Sequence, residues 1–385
     1  MELNIPNSKD KIAIVVVGYN RIKSITRLLD SLLKAEYPHN NVPLVISIDC
    51  SGDETLYSYV KEFKWPYGEK YVNIQQERLG LKNHIYQCGD LTKHFRGVIL
   101  LEDDLYVSPF FYEYVEATLN KYGENPDIAE ISLYKNETNG YVGLPFENMQ
   151  TGSDVFLMQD VSTWGQCWTE QMWTKFVEWR DSHTEEDVYS AEMPDRIKKW
   201  TRAWSKYYNA YVVLTGKYVV YPNVSLTTNF SDAGEHGDTN NSIVQTNLLQ
   251  EHFTYRLPNI DRLVRYDIFF NNESLYMWLD MRREDLCIDL YGFRGNSYNK
   301  RFILTTKKLP FSVIKTYALN MRPIELNVKY DICGNGISLY DTKVSRRRES
   351  NSSFEIVDYM LKGFNPRMLT EYLFKLYVKR LLKKK

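Results

Sequence analysis

The sequence predicts an α/β fold, a Rossmann-like, mainly parallel sheet flanked by helices, followed by a C-terminal α+β extension. Three observations carry that expectation. Continuous apolar runs rich in β-branched residues, such as Ile12 to Val17, read as strands buried on both faces. Between them lie segments with apolar residues at helical spacing, and this alternation calls for parallel strands joined by helical crossovers. Each run then ends in polar residues, at the sheet edge where such folds bind their ligands.

Taken in order, the strand Ile12 to Val17 is closed by Gly18 and followed by a helix whose apolar face is Ile22, Ile25, Leu28, Leu29, Leu32 and Leu33. Tyr37-Pro38 ends that pattern. The alternation continues with strand Leu44 to Ile48, helix Leu56 to Phe63, strand Tyr71 to Ile74, helix Leu81 to Phe95 and strand Val98 to Leu101. Another helix should begin near Pro109. From Ser132 to Val161 the chain is rich in turns, and then Trp164, Trp168, Trp173 and Trp179 punctuate a helix-like stretch. Aromatics at such spacing are more often core than sugar-stacking platforms.

Residues 1–255 form one domain on this reading. Residues 256–345 form a β-rich extension, with strands at Leu263 to Phe270, Leu286 to Tyr291, Phe302 to Thr305 and Ile324 to Tyr330. Residues 346–385 hold the run Arg346-Arg347-Arg348 and a basic amphipathic helix from Met368, which could lie on an anionic membrane or simply pack on the domain.

Composition narrows the function. A formal net charge of −1 leaves no global basic field, which argues against nucleic acid as partner. Five widely spaced cysteines with no CxxC fit neither a disulfide framework nor a zinc module, and suggest reduced thiols in the cytoplasm. The N-terminal residues do not read as a signal peptide, and no stretch reaches the ~20 apolar residues of a membrane span.

The sharpest chemical signal is Glu102-Asp103-Asp104, directly after an apolar strand. Carboxylates there can hold Mg²⁺ or Mn²⁺ while diphosphate oxygens complete the shell. An acidic turn capping the next helix is the bland alternative. Asp49, ending the second strand, can accept a hydrogen bond from a base or ribose, or cap a turn. Tyr19, Asn20 and Arg21 follow the first strand, and the arginine suits phosphate oxygens. Gly80-Leu81-x-Asn83 could let the backbone approach a donor.

Together these residues resemble the GT-A glycosyltransferases, above all the N-acetylglucosaminyltransferase that initiates complex N-glycans and related bacterial enzymes. The stretches VVVGYNR, ISIDCSGDET, ILLEDDLYVSPFFYEY, STWGQCWTEQMW and YPNVSLTTNFSDAGEHG carry the likeness, over roughly residues 11–240. The resemblance implies a UDP-sugar donor, a divalent cation, a hydroxyl acceptor on a glycan or lipid-linked saccharide, and an inverting transfer. It places Asp104 and His236 with the metal, Glu102 and Asp103 near ribose and donor sugar, Asp49 at the base, Arg21 near the nucleotide, and Trp164 and Gly165 at the acceptor.

The chain departs from the family at one point. Inverting relatives carry an aspartate after a tryptophan, and here the matching stretch is Ala203-Trp204-Ser205-Lys206, which has no acid. A general base is needed near the attacking hydroxyl. Asp195 is the first candidate, Glu170 the second, and Glu192 is also nearby in sequence. A nucleotidyltransferase is a rival, though Gly18-Tyr19-Asn20-Arg21 lacks the glycine density of its phosphate loop. A non-catalytic carbohydrate-binding protein is the other.

Overall fold

The computed structural model of the chain describes residues 5–201, 203–233, 242–252, 254–294, 298–345, 355–363 and 365–382. His236 and Arg346-Arg347-Arg348 lie outside the described residues. Two compact units result, residues 1–274 and 275–385. The boundary read from the sequence near 255 therefore moves downstream, because residues 256–274 add a short strand to the first unit.

The first unit opens with β1 (Ser8–Gly18), α1 (Ile22–Leu33), β2 (Leu44–Ile48), α2 (Glu54–Glu62) and β3 (Lys70–Ile74). Helix α1 turns Ile25, Leu28, Leu29 and Leu32 inward, as the spacing predicts. Helix α2 starts where the Asp53 carboxylate accepts the Thr55 and Leu56 amides, which caps its free N–H groups. Next come α3 (Gly80–Gly89) and β4 (Phe95–Glu102). The helix predicted to reach Phe95 stops at Gly89, because the Thr92 hydroxyl takes the Gly89 carbonyl and tightens the chain into a 3₁₀ turn. Phe95 and Arg96 become strand.

Beyond the acidic triplet the unit continues with β5 (Leu105–Val107), α4 (Phe111–Tyr122), β6 (Ile128–Ser132), the small hairpin β7 (Thr138–Asn139) and β8 (Leu144–Pro145), then β9 (Val155–Met158) and β10 (Gln166–Trp168). Helices α5 (Glu170–Ser182), α6 (Glu185–Ser190), α7 (Asp195–Lys198) and α8 (Ser205–Leu214) precede β11 (Tyr218–Pro222), β12 (Thr227–Asn229) and β13 (Arg265–Tyr266). One nine-stranded sheet results, in the order β13-β9-β11-β6-β10-β4-β1-β2-β3. Strands β1, β2, β3, β4, β6 and β11 point one way, while β9, β10 and β13 run against them. The sheet is thus mainly parallel and flanked by helices, as expected.

Every residue of β2 is buried, and so are Val98 to Leu101 of β4, which is why both read as unbroken apolar runs rather than alternating ones. Beside them Trp168 and Trp173 meet at 4.8 Å between ring centroids, with Trp204, Phe176 and Tyr208 completing the cluster. Trp168 belongs to β10 and not to a helix. Both tryptophans are core residues. The indole N–H of Trp168 and the amide of Gln166 both donate to the buried Glu130 carboxyl, whose pKa burial drives well above the ordinary carboxylate range.

The second unit contains α9 (Ser274–Trp278), β14 (Leu286–Asp289), β15 (Phe302–Thr305), β16 (Phe311–Tyr317), α10 (Leu326–Lys329), β17 (Ile337–Ser345), α11 (Glu355–Leu361) and α12 (Pro366–Leu382). Its sheet runs β14-β15-β17-β16. Two predicted strands fail. Leu263 to Phe270 keeps only the two-residue β13, and Ile324 to Tyr330 becomes the helical turn α10. There the buried Asn327 side chain accepts the Asn320 and Met321 amides and donates to the Met321 and Ile324 carbonyls, folding the segment back on itself. Helix α12 is also less one-sided than predicted. Tyr372, Leu373 and Phe374 are consecutive, about 100° apart around the axis, and all exposed, so its apolar residues surround the helix instead of forming one stripe.

Candidate active site

The parallel strands end level with one another. Gly18 pairs with Ile48, Ile48 with Ile74, and Val17 with Glu102, so Asp103 and Asp104 stand beside the Gly18 to Arg21 turn. This is also where the strand order reverses, because β2 lies on one side of β1 and β4 on the other. Open α/β sheets bind ligands in the crevice at such a switch point. A cleft of about 520 Å³ opens there, lined by Tyr19, Asn20, Arg21, Asp49, Glu102, Asp103 and Asp104 among others.

Arg21 organises the cleft. Its guanidinium pairs in a fork with both oxygens of Asp103, and Nη1 donates to Asp104 Oδ2 at 3.3 Å and to the Asp232 carbonyl at 3.2 Å. Burial opposes the arginine's charge, but Asp103 and then Asp104 more than offset it and raise its pKa. The acids are raised as well, which for them disfavours the charged form. Burial, then Asp104 and Asp103, raise Glu102 to about 8, and burial raises Asp103 to about 6 against the pull of Arg21. Asp104 is raised too, chiefly by burial.

Asp104 is tied to the far side of the cleft. Strand β5, which follows it, pairs with β12 so that Leu105 faces Asn229, and Asn229 Nδ2 donates to Asp104 Oδ1 at 3.2 Å. The Phe230 amide donates to the Asp104 carbonyl at 2.9 Å. Asp232 lies next along that segment, accepting the Ser24 hydroxyl at 2.7 Å and pairing with Arg27.

Asp49 is buried, and its carboxylate accepts the Cys50, Leu79 and Gly80 amides, each at 2.9 Å. It therefore fixes the loop that starts α3. Asn83 does not enter the cleft; it is exposed and donates back to the Leu79 carbonyl, and its helix instead presents Gly80, Leu81 and His84. Arg78, stacked 4.8 Å above the Tyr19 ring, and Trp200 complete the lining. Neither stands in a motif. The only signal for Arg78 was its place after the third strand.

Trp164 lines this cleft and an adjoining cavity of about 530 Å³, which also share Trp200 and Val244. Gly165 lines neither. Its φ of +101°, with a Cβ there falling 2.9 Å from the Thr227 side chain, makes it a position only glycine suits in the turn after Trp164. The proposed bases are displaced as well. Glu170 is exposed and bonded to Lys9 at the start of β1, the edge of the sheet opposite the acidic triplet. Asp195, at the start of α7, is exposed and lines neither cavity; its neighbour Arg196 does. Proximity to the aromatic helix in sequence did not carry over to space. Glu192 is exposed too.

Residues 1–156 match the GNT-I family. That segment carries β1 to β4 and the whole Glu102-Asp103-Asp104 edge, so the resemblance read from the motifs holds there. Among solved structures the chain is similar to S. aureus TarS 1-349 in complex with UDP-GlcNAc, at 16% identity, covering 59% of this chain and 60% of that one, with a TM-score of 0.38. The mannosyltransferase PcManGT from Pyrobaculum calidifontis in complex with GDP-Man and Mn²⁺ is 13% identical over 58% of each chain, TM-score 0.36. GalNAc-T7 with UDP, GalNAc and Mn²⁺ is 12% identical over 61% of this chain and 45% of that one, TM-score 0.39. The similarity thus spans about three-fifths of the length of the first two proteins and 45% of GalNAc-T7.

Proposed function

We propose that this chain is a glycosyltransferase that moves a sugar from a UDP-sugar to a hydroxyl acceptor, with a divalent cation, in polysaccharide or glycoconjugate synthesis. The GNT-I match over residues 1–156 supports the class of enzyme. The observation that carries the rest is the meeting of Arg21 with Asp103 and Asp104 in a cleft at the switch point of the sheet.

The residues fit a cation. Glu102, Asp103 and Asp104 set three carboxyl groups against one guanidinium, and burial penalises the charge that is left. Among the described residues no three His, Cys, Asp or Glu side chains form a metal cage. A Mn²⁺ or Mg²⁺ ion held by Asp104 would take its other ligands from diphosphate and water, as such ions commonly do. When bound, it supplies Lewis-acid stabilisation to the departing diphosphate.

The protein's own groups do the remainder. Asp103 holds the Arg21 fork in place, so Arg21 contributes its positive charge to the cleft, and Arg78 carries a guanidinium suited to diphosphate oxygens. Asp49 acts on the base through the 79–80 loop that it pins. Trp164, common to the cleft and the neighbouring cavity, stands where donor sugar and acceptor would meet. The transfer is a single displacement with inversion, through an oxocarbenium-like transition state.

Calorimetric titration with UDP, with and without Mn²⁺, tests this reading. Wild type should bind UDP in a Mn²⁺-dependent way, and Asp104→Ala should bind at least about tenfold more weakly, a loss of ~1.4 kcal/mol. Unchanged binding by the variant would remove Asp104 from the cation site. UDP binding without UDP release from any UDP-sugar would favour a carbohydrate-binding role instead.

Location is part of the proposal. All five cysteines are free, which supports a reducing, cytoplasmic setting. No helix among the described residues is long and apolar enough to cross a membrane. Helix α12 exposes Met368, Tyr372, Phe374 and Tyr377 together with Arg367, Lys375 and Lys379, so what supports attachment to an anionic lipid surface bearing a lipid-linked acceptor is basic charge beside exposed aromatic residues, not a one-sided apolar stripe. The full chain should co-sediment with vesicles containing anionic lipid, and removal of residues 366–385 should abolish this; equal sedimentation of both would count against membrane attachment.

A further inference from the structure

Resting on the transfer reaction proposed above, an inference follows about its proton. The acceptor hydroxyl must lose a proton as it attacks, and Ser205 stands where an acid was expected. Ser205 lines the second cavity, so the place for the acceptor is built even though that acid is missing. Tyr134, Tyr141, Trp164, Trp200 and Phe270 give this cavity aromatic walls, while Asn136, Ser162, Thr163 and Arg196 add hydrogen-bonding groups. Apolar faces interspersed with hydroxyl and amide groups suit a saccharide.

The described acids that line the two cavities can be sorted by what already holds them. Asp49 accepts three backbone amides. Asp103 and Asp104 face Arg21, and Asp232 faces Ser24 and Arg27. Glu102 belongs to the donor cleft, where it is hydrogen-bonded by Thr163. Asp160 is the one described carboxylate lining the second cavity. It lies four residues before Trp164, at the start of the stretch Asp160 to Trp164 that lines that cavity and reaches the cleft.

We propose that Asp160 is the general base, taking the proton from the acceptor hydroxyl of a saccharide seated in the second cavity. As the acceptor oxygen forms its bond to the anomeric carbon, the bond from that carbon to the diphosphate oxygen breaks. The electron pair leaves with UDP, and the hydroxyl proton passes to the Asp160 carboxylate. The carboxylate is already oriented for this. Tyr141 donates its hydroxyl to Oδ1, whereas Asn136 reaches Oδ2 only at 3.4 Å, leaving that oxygen room for a stronger donor. The Tyr221 hydroxyl fixes the backbone by donating to the Asp160 carbonyl at 2.8 Å, and among the described residues the other charged group lining the cavity is Arg196, which donates to the Gly140 carbonyl. Burial raises the Asp160 pKa to about 6, against the opposing hydrogen bonds of Tyr141 and Asn136, so the base is ionised at neutral pH and activity falls as pH drops through 6.

The test uses the full chain with Mn²⁺, a panel of UDP-sugars, and methyl glycosides of glucose, galactose and N-acetylglucosamine as acceptors, reading UDP release. Asp160→Asn keeps the shape and the Tyr141 bond. It should lower kcat about 100- to 1,000-fold, within the range for a lost general base, with the KM for the UDP-sugar and the calorimetric affinity for UDP changed less than about threefold, on the order of 0.6 kcal/mol. Tyr141→Phe removes a bond that favours the carboxylate, so the acid limb of the pH profile should move to higher pH; a purely structural tyrosine would leave it in place. An Asp160→Asn variant that keeps more than a tenth of wild-type kcat, or a Tyr141→Phe limb that does not move, overturns the assignment while the transfer reaction stands. Wild type that binds no UDP and releases none from any donor overturns both.

Discussion

Arg21→Met should destabilise the first unit by about 3–5 kcal/mol and abolish UDP binding. The side chain is 22% exposed, and its partners Asp103 and Asp104 are 6% and 16% exposed. Removing one member of a buried ion pair is far worse than removing both, because the remaining charge keeps its desolvation penalty without its partner. Here two carboxylates would be left together, each raising the other's free energy. Arg21→Lys should recover part of the stability and little of the binding, because an ammonium restores the charge but not the two-pronged contact to Asp103. Urea denaturation of both variants gives the measurement. A loss below about 1 kcal/mol for Arg21→Met would mean that the pair behaves as an exposed one.

Trp168→Ala should cost about 3–5 kcal/mol, the range for deleting a wholly buried aromatic side chain. Its ring touches Trp173, Trp204 and Tyr208, so the change opens a void between β10, α5 and α8. It also withdraws one of the two donors to Glu130. Trp168→Phe separates these effects by restoring most of the volume without the N–H. If the alanine variant unfolds at nearly the wild-type urea midpoint, the cluster is not the structural centre of this face.

The buried parallel strands were legible because burial on both faces leaves no choice but continuous apolar residues, as in Leu44 to Ile48 and Val98 to Leu101. The edge of the sheet was legible for a related reason. A strand must end where its apolar run ends, so Arg21, Asp49 and the acids 102–104 could be assigned to one edge before any distance was known. What sequence could not supply was side-chain direction within a helix or loop. Asn83 and Gly80 sit in one turn of α3, yet only Gly80 faces the cleft. The second cavity draws on residues 134–141, 160–164, 196–205, 243–244 and 270, a set that no local pattern joins. Asp160 was invisible on that account, following a short strand and standing two residues before the stretch from Ser162 that carried the resemblance. Glu170 illustrates the converse, because α5 begins where the antiparallel β10 has carried the chain to the opposite edge of the sheet.

The bonds that Asp49 makes to Leu79 and Gly80 bear on kinetics as well as on position. A loop held by a buried carboxylate has surrendered its conformational freedom during folding, so a ligand that docks against it does not have to order it again. Such preorganised walls distinguish cognate from near-cognate ligands mainly through how long each stays, since association rates vary far less than dissociation rates. A nucleotide with the wrong base would therefore arrive as readily as the right one and leave sooner. The discrimination would be written in residence time.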